Sequence, residues 1–150
     1  MRFSWRVIVL STLVLSACGE DDPPATTPTP EAVTRTVGVE GGTLEIGGAT
    51  MTIPPGALAA PTPIRIDVSA SGPPAGFVAL SKVFRCEPVG TTFAVPVTMR
   101  MPFVDDGGRK TMFWSSGADP SFKDVGGEAT GGVMSATIRH FSAGFIGRVQ

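Results

Sequence analysis

The sequence predicts an all-β fold, an antiparallel β-sandwich, from three observations. Apolar and polar residues alternate with a period of two along several segments, which is typical of strands with one buried face. Five Gly-Gly pairs punctuate these segments, and glycine readily takes the positive φ angles of the turns that join antiparallel strands. After the first 18 residues, no segment repeats its apolar residues every three to four positions over a full helix.

The clearest strand is predicted over residues 93–101, where every second residue is a large apolar one. Pro96 lies within it and removes one backbone donor, so this strand should lie at a sheet edge or carry a β-bulge. The same alternation predicts a strand over residues 64–68. Further strands are expected over residues 33–39, 43–46, 50–53, 82–87, 111–115 and 133–140.

A turn is predicted where the sequence reads Ile53-Pro54-Pro55-Gly56-Ala57-Leu58. Pro54 ends the preceding strand, and Pro55 is suited to the second position of a type II turn. Gly56 supplies the positive φ angle that the third position of this turn requires. Leu58 can then return to the core.

Composition excludes several classes of function. The chain of 150 residues has 12 Lys and Arg against 13 Asp and Glu, so its formal charge of −1 gives no basic surface for nucleic acid. One His, two Cys and no Tyr leave few side chains for a catalytic triad or a metal cage. The sequence therefore predicts no catalytic site, no metal and no cofactor.

The amino terminus has the pattern of a secretory signal peptide. Arg2 and Arg6 precede a short apolar run over residues 7–15, which is shorter than the ~20 residues that a membrane-spanning helix needs. The sequence Leu15-Ser16-Ala17-Cys18 resembles the bacterial lipobox. This resemblance implies that residues 1–17 are removed and that Cys18 is acylated. The alternative is an ordinary signal peptide with an incidental thiol nearby.

A flexible tether is predicted between Cys18 and the folded domain. Residues 19–36 are rich in Pro and Thr and have almost no apolar side chains, so they cannot bury enough surface to fold. The predicted organisation is a signal peptide at residues 1–17, the lipidated cysteine and tether at 18–36, and one domain at 37–150. With Cys18 acylated, Cys86 is the only remaining thiol, which excludes an intrachain disulfide.

Three segments in order resemble the ZU-five domain, a β-sandwich module that also occurs in ankyrins and netrin receptors. They are GGTLEIGGATMTIPPGAL at residues 41–58, PVGTTFAVPV at 88–97, and His140-Phe141-Ser142. The resemblance spans residues 37–146. It implies a β-sandwich that binds proteins or acts as a scaffold, without a small-molecule pocket. The alternative is an unrelated immunoglobulin-like sandwich with similar turns.

Only the segment His140-Phe141-Ser142 offers a chemical reaction. Some relatives cleave their own backbone at this tripeptide. The resemblance implies that His140 would act as the base and that the Ser142 hydroxyl would attack the Phe141 carbonyl. The attack also needs a strained peptide bond. A second β-domain normally follows in self-cleaving relatives, whereas eight residues follow Ser142 here, so a structural role is the favoured interpretation.

The remaining candidates have simpler interpretations. The segment Asp105-Asp106-Gly107-Gly108 lacks the spacing of a calcium loop and is expected to form a hairpin turn. Cys86 is expected to be a buried apolar residue. Trp114 is the candidate for binding a protein or a sugar, although alternation would place either Phe113 or Trp114 in the core.

The sequence as a whole predicts a lipoprotein of the bacterial cell envelope. Its lipid anchor would place it in the outer membrane, in the inner membrane facing the periplasm, or at the cell surface. The expected partners are the membrane, through the lipid, and envelope proteins or a polysaccharide. Single-turnover cleavage of the Phe141–Ser142 bond is the alternative function.

Overall fold

The computed structural model describes residues 32–117 and 119–150, with the side chains of residues 119 and 120 left aside. The predicted signal peptide, Cys18 and the tether up to residue 31 lie outside the described residues. Two antiparallel sheets face each other across an apolar core, so the predicted β-sandwich is confirmed. No helix in the described ranges is long and apolar enough to span a bilayer.

The described residues form twelve strands in two sheets. The seven-stranded sheet has the order β1-β4-β6-β12-β8-β9, with β5 also paired to β12, and the five-stranded sheet has the order β10-β11-β7-β3-β2. The strands are β1 Ala32–Val37, β2 Gly42–Ile46, β3 Ala49–Ile53, β4 Thr62–Val68, β5 Phe77–Ala79, β6 Phe84–Glu87, β7 Thr92–Pro102, β8 Thr111–Ser116, β9 Asp119–Gly126, β10 Glu128–Thr130, β11 Val133–His140 and β12 Ala143–Val149.

The first described strand, β1, starts at Ala32, before the domain boundary at residue 37 that the sequence predicted. All six residues of β1 pair with β4, and Val33 packs against the core. The Arg35 guanidinium also donates to the Thr43 carbonyl oxygen at 3.1 Å. The tether assignment up to residue 36 is therefore wrong for residues 32–36, because pairing with β4 stabilises a segment whose own composition is mostly polar.

The prediction of an irregularity near Pro96 is confirmed. β7 lies in the interior of its sheet, but its pairing with β3 covers only Thr98 to Arg100. Its pairing with β11 shifts register between Ile138 and His140, on the side of Pro96. The shift exposes Val95, which the alternation had placed in the core.

The predicted turns have the expected backbone geometry. Gly47 and Gly48, with φ angles of 56° and 81°, join β2 to β3 in a two-residue hairpin. In the turn after β3, the Ala57 amide donates to the Pro54 carbonyl oxygen at 3.2 Å, and Gly56 has a φ angle of 76°. This is the predicted type II turn, and Leu58 is buried beyond it.

Two apolar clusters stabilise the sandwich. The larger lies between the sheets and includes Trp114, Phe141 and Ile146. The smaller lies on the outer face of the seven-stranded sheet, where Phe113 and Phe145 stack with a centroid separation of 5.5 Å. Because side chains alternate across β8, Phe113 and Trp114 are buried on opposite faces of the same sheet.

The register defines two ends of the sandwich. Ala32 lies opposite Asp67, beside the β2–β3 turn, where Gly47 approaches Val68. We call this the Ala32 end. Val37 and the type II turn lie at the other end, which we call the Ser142 end because Phe141, next to Ser142, meets Phe93 beside that turn. The amino-terminal segment therefore joins the sandwich at the end away from the type II turn.

Candidate functional site

The segment His140-Phe141-Ser142 connects β11 to β12 and so links the two sheets at the Ser142 end. Phe141 is fully buried, and its ring meets Phe93 edge to face at 4.7 Å between centroids. The Phe141 amide donates to the Thr91 carbonyl oxygen at 2.8 Å. Phe141 thus anchors the crossing between sheets.

Ser142 is buried, and its hydroxyl contacts the hydroxyl of Ser115 on β8. Ser142 also donates to the Gly117 carbonyl oxygen at 3.5 Å. The Ser115 oxygen in turn accepts from the Ala143 amide at 3.1 Å. These contacts stabilise the junction between β8 and the start of β12, which is a structural use of both hydroxyl groups.

His140 forms hydrogen bonds through both its ring and its carbonyl group. Its Nε2–H donates to the Ser115 carbonyl oxygen at 3.0 Å, and its own carbonyl oxygen accepts from Trp114 Nε1 at 3.1 Å. No hydrogen bond joins the His140 ring to the Ser142 hydroxyl within the described part of the chain. Because Nε2 carries its proton, this nitrogen is not placed to remove a proton from Ser142.

The carbonyl oxygens of Phe141 and Ser142 also accept hydrogen bonds. The Gly90 amide donates to the Phe141 oxygen at 3.0 Å, and the Cys86 amide donates to the Ser142 oxygen at 2.8 Å. The first contact polarises the carbonyl that self-cleavage would attack. The structure therefore polarises the Phe141 carbonyl, but it directs the Ser142 hydroxyl to Ser115 and Gly117 and the imidazole to the Ser115 carbonyl oxygen.

Ser115 is the residue of this cluster that sequence reasoning missed. It lies 27 positions before Ser142, and the two meet only because β8 and β12 are neighbours in the sheet. No local pattern around Ser115 indicates this pairing. Knowledge of the strand order was needed to find it.

A family model described as the ZU5 domain matches residues 33–114, from β1 to Trp114 in β8. The chain belongs to the ZU5 family. ZU5 domains mediate protein–protein interactions, so the family membership favours a protein-interaction module. A comparison with curated proteins finds no significant match. The later strands of this ZU5 domain, including β11 and β12, lie beyond the matched residues yet complete both of its sheets.

Trp114 is not a surface binding residue of this ZU5 domain. Only 2% of its surface is exposed, and its indole N–H donates a hydrogen bond to the His140 carbonyl oxygen. The expectation that Trp114 contacts a partner is wrong, because Trp114 is buried in the larger apolar cluster and Phe113 in the smaller one. The outer face of the larger sheet has its own aromatic cluster, which the sequence did not indicate.

The Asp105-Asp106-Gly107-Gly108 segment of the ZU5 domain connects β7 to β8, which belong to different sheets, so it is not a hairpin turn. A hydrogen bond from Lys110 lowers the pKa of Asp105, and one from the Gly108 amide lowers the pKa of Asp106. Asp106 also pairs with Arg148. Protein cations thus neutralise both carboxylates, and the described residues hold no cluster of metal ligands.

Cys86 is expected to resist modification in the folded ZU5 domain. It is fully buried on β6, and desolvation, with a smaller contribution from Asp67, raises the pKa of its thiol. A thiol-reactive disulfide reagent should leave Cys86 unlabelled in native buffer and label it in denaturant, as measured by intact mass. Rapid labelling in native buffer would contradict the burial of this residue.

Proposed function

We propose that this protein is a bacterial cell-envelope lipoprotein that displays its ZU5 sandwich as a protein-binding module. The observation that carries the proposal is the position of Leu15-Ser16-Ala17-Cys18, the lipobox pattern, shortly before the ZU5 domain. Thirteen residues, 19–31, separate Cys18 from the first residue of β1. The lipid would fix the protein at a membrane, and the sandwich would supply the contact with other proteins.

The geometry supports an outward display of the Ser142 end. A proline-rich segment of this length extends roughly 40 Å at about 3 Å per residue. The segment joins the sandwich at the Ala32 end, so the Ser142 end would point away from the bilayer. Exposed Val39 and Val89 lie at the Ser142 end, in loops beside the type II turn and Phe141. These loops are the surface that we assign to a protein partner.

Attachment would depend on lipid rather than on charge. Removal of residues 1–17 takes away Arg2 and Arg6, which leaves 10 cations and 13 anions and a formal charge of −3. Such a chain is not attracted to anionic headgroups. One acyl chain holds a protein only marginally, so stable anchoring needs more than one chain on the amino-terminal cysteine.

Metabolic labelling with a fatty acid tests the anchor. The native chain and Cys86→Ala should incorporate label and sediment with membranes, whereas Cys18→Ala should lose both properties. Cys86→Ala is the matched control because it removes the other cysteine of the chain. Equal labelling of all three proteins, or of none, would overturn the proposed lipidation.

Cross-linking in intact cells tests the protein-binding surface. We expect a defined cross-linked partner with the native chain, and its loss when Val39 and Val89 are both replaced by Asp. Val104→Asp is the control, since Val104 is also an exposed valine, more exposed than either of the other two, but lies after β7 at the Ala32 end. Cross-linking that is unchanged by the double substitution would exclude this surface.

Self-cleavage between Phe141 and Ser142 is the competing function. It is favoured by the Gly90 amide, which polarises the Phe141 carbonyl, and opposed by the orientation of His140. We expect a single uncut mass for the purified chain. A species ending at Phe141 that disappears in Ser142→Ala would instead establish cleavage, and Ser115→Ala would serve as the control for simple loss of the hydroxyl pair.

A further inference from the structure

The outer face of the five-stranded sheet carries a row of four threonines in register. The ladder places one threonine on each of four adjacent strands, in the order Thr43, Thr52, Thr98 and Thr137. Neighbouring strands are about 4.8 Å apart, so the threonine side chains follow one another at about this spacing. All four are exposed or half-buried on the solvent side of the sheet.

A second row lies beside the first, two residues along each strand. Its members, again in register, are Glu45, Thr50, Arg100, Ser135 and Glu128. Arg100 is two strands away from either glutamate, a separation of roughly 10 Å. No ion pair therefore engages Arg100 within the described residues. Its guanidinium is free to bond a ligand.

Two shallow cavities lie side by side across these rows. They measure about 420 Å³ and about 400 Å³, and both are lined by Thr98, Glu128 and Ser135. Together they form one groove that crosses β7, β11 and β10. Its lining combines hydroxyl groups, one guanidinium, one carboxylate and the methyl groups of threonine.

We propose that this groove binds a neutral glycan chain. Hydroxyl groups and the Arg100–Glu128 set can donate to and accept from sugar hydroxyls, and the threonine methyls can pack on the apolar faces of sugar rings. The strand spacing is close to the length of one pyranose unit, so an extended glycan lying across the strands meets one threonine per unit. The glycan site is separate from the proposed protein-binding surface and does not rest on it.

The chemistry of the groove disfavours other ligands. One arginine between two glutamates gives the second row a net negative charge, which disfavours phosphate and acidic peptides. The scarcity of large apolar side chains disfavours a lipid surface or an amphipathic helix. Each contact is weak, so binding is expected to depend on several sugar units at once.

Co-sedimentation of the full chain in detergent with insoluble glycans tests the proposal. The probes are three uncharged insoluble polysaccharides: cellulose, chitin and curdlan, a β-1,3-glucan. We expect retention by at least one probe, and a fall of about tenfold in affinity when Thr98 and Thr137 are both replaced by Val, since two hydrogen bonds are lost. Valine keeps the β-branched shape, so folding should be preserved.

Two further variants complete the experiment. Arg100→Gln should also weaken retention, while Thr36→Val, an exposed threonine of β1 in the other sheet, should leave it unchanged. The probe that retains the protein identifies the sugar unit and the linkage that the groove accepts. Retention by none of the three probes, or equal retention of native chain and groove variants, would overturn the proposal.

Discussion

Replacing Gly144 by alanine is expected to lower the free energy of unfolding by about 3 kcal/mol. A Cβ atom at this position would lie 2.1 Å from Cε3 of Trp114 and 2.8 Å from the Phe113 carbonyl oxygen. Trp114 is packed within the larger apolar cluster, and its indole N–H donates a hydrogen bond to the His140 carbonyl oxygen. The side chain therefore has no space into which to move. The resulting strain should appear as a lower urea midpoint in a circular dichroism titration.

Gly72→Ala is the matched control for this experiment. A Cβ atom added at Gly72 would have no heavy atom within 4 Å beyond those of its chain neighbours, and the φ angle of Gly72 is not positive. Its replacement should change the free energy of unfolding by less than about 1 kcal/mol. Equal destabilisation by both substitutions would show that the contact between Gly144 and Trp114 is wrong.

Replacing Phe141 by alanine should have the largest effect of all, a loss of about 3–5 kcal/mol of stability. The ring is fully buried and packs edge to face against Phe93. The Phe141 amide also donates a hydrogen bond to the Thr91 carbonyl oxygen in the adjoining loop. Small domains are stable by only about 5–15 kcal/mol, so this substitution removes a large fraction of the native stability. Thermal melting measures the loss directly.

Val89→Ala provides the comparison for Phe141→Ala. Val89 lies in the neighbouring loop, but 54% of its surface is exposed, so little apolar area is lost on truncation. Its melting temperature should stay within a few degrees of the native value. A Phe141→Ala variant as stable as Val89→Ala would mean that the aromatic ring does not hold the crossing between the sheets.

Most of the sandwich could be predicted because alternation is a local signal. Every strand predicted from period-two patterning is present, and β11 has the predicted bounds. Four strands were not predicted, namely β5, β9, β10 and β12. The sequence of β12, AGFIGRV, lacks the alternation and is typical of a glycine-rich loop. Its glycines are required by neighbours distant in sequence, since Gly144 faces Trp114 and Gly147 lies against the Val78 carbonyl oxygen.

The site was only partly predictable for a related physical reason. The tripeptide at residues 140–142 was found from its resemblance to relatives, and Phe141 proved to be a core residue. The hydrogen bonds from His140 and Ser142 to Ser115 form because β8 and β12 are neighbouring strands, and local sequence patterns do not encode strand order. Alternation places Phe113 and Trp114 on opposite faces of their sheet, so one of them was expected to be exposed. Both are buried because each face of this sheet is covered by an apolar cluster, which the local sequence does not show.

The central position of β12 has a consequence for biogenesis. This strand is translated after every other strand of the sandwich, yet it separates β6 from β8 and supplies Phe145 and Ile146 to the two apolar clusters. A nascent chain that still lacks residues 143–149 therefore cannot close the larger sheet. The two halves of the larger sheet can therefore join only after the last strand has left the ribosome, so the sandwich closes after synthesis is complete.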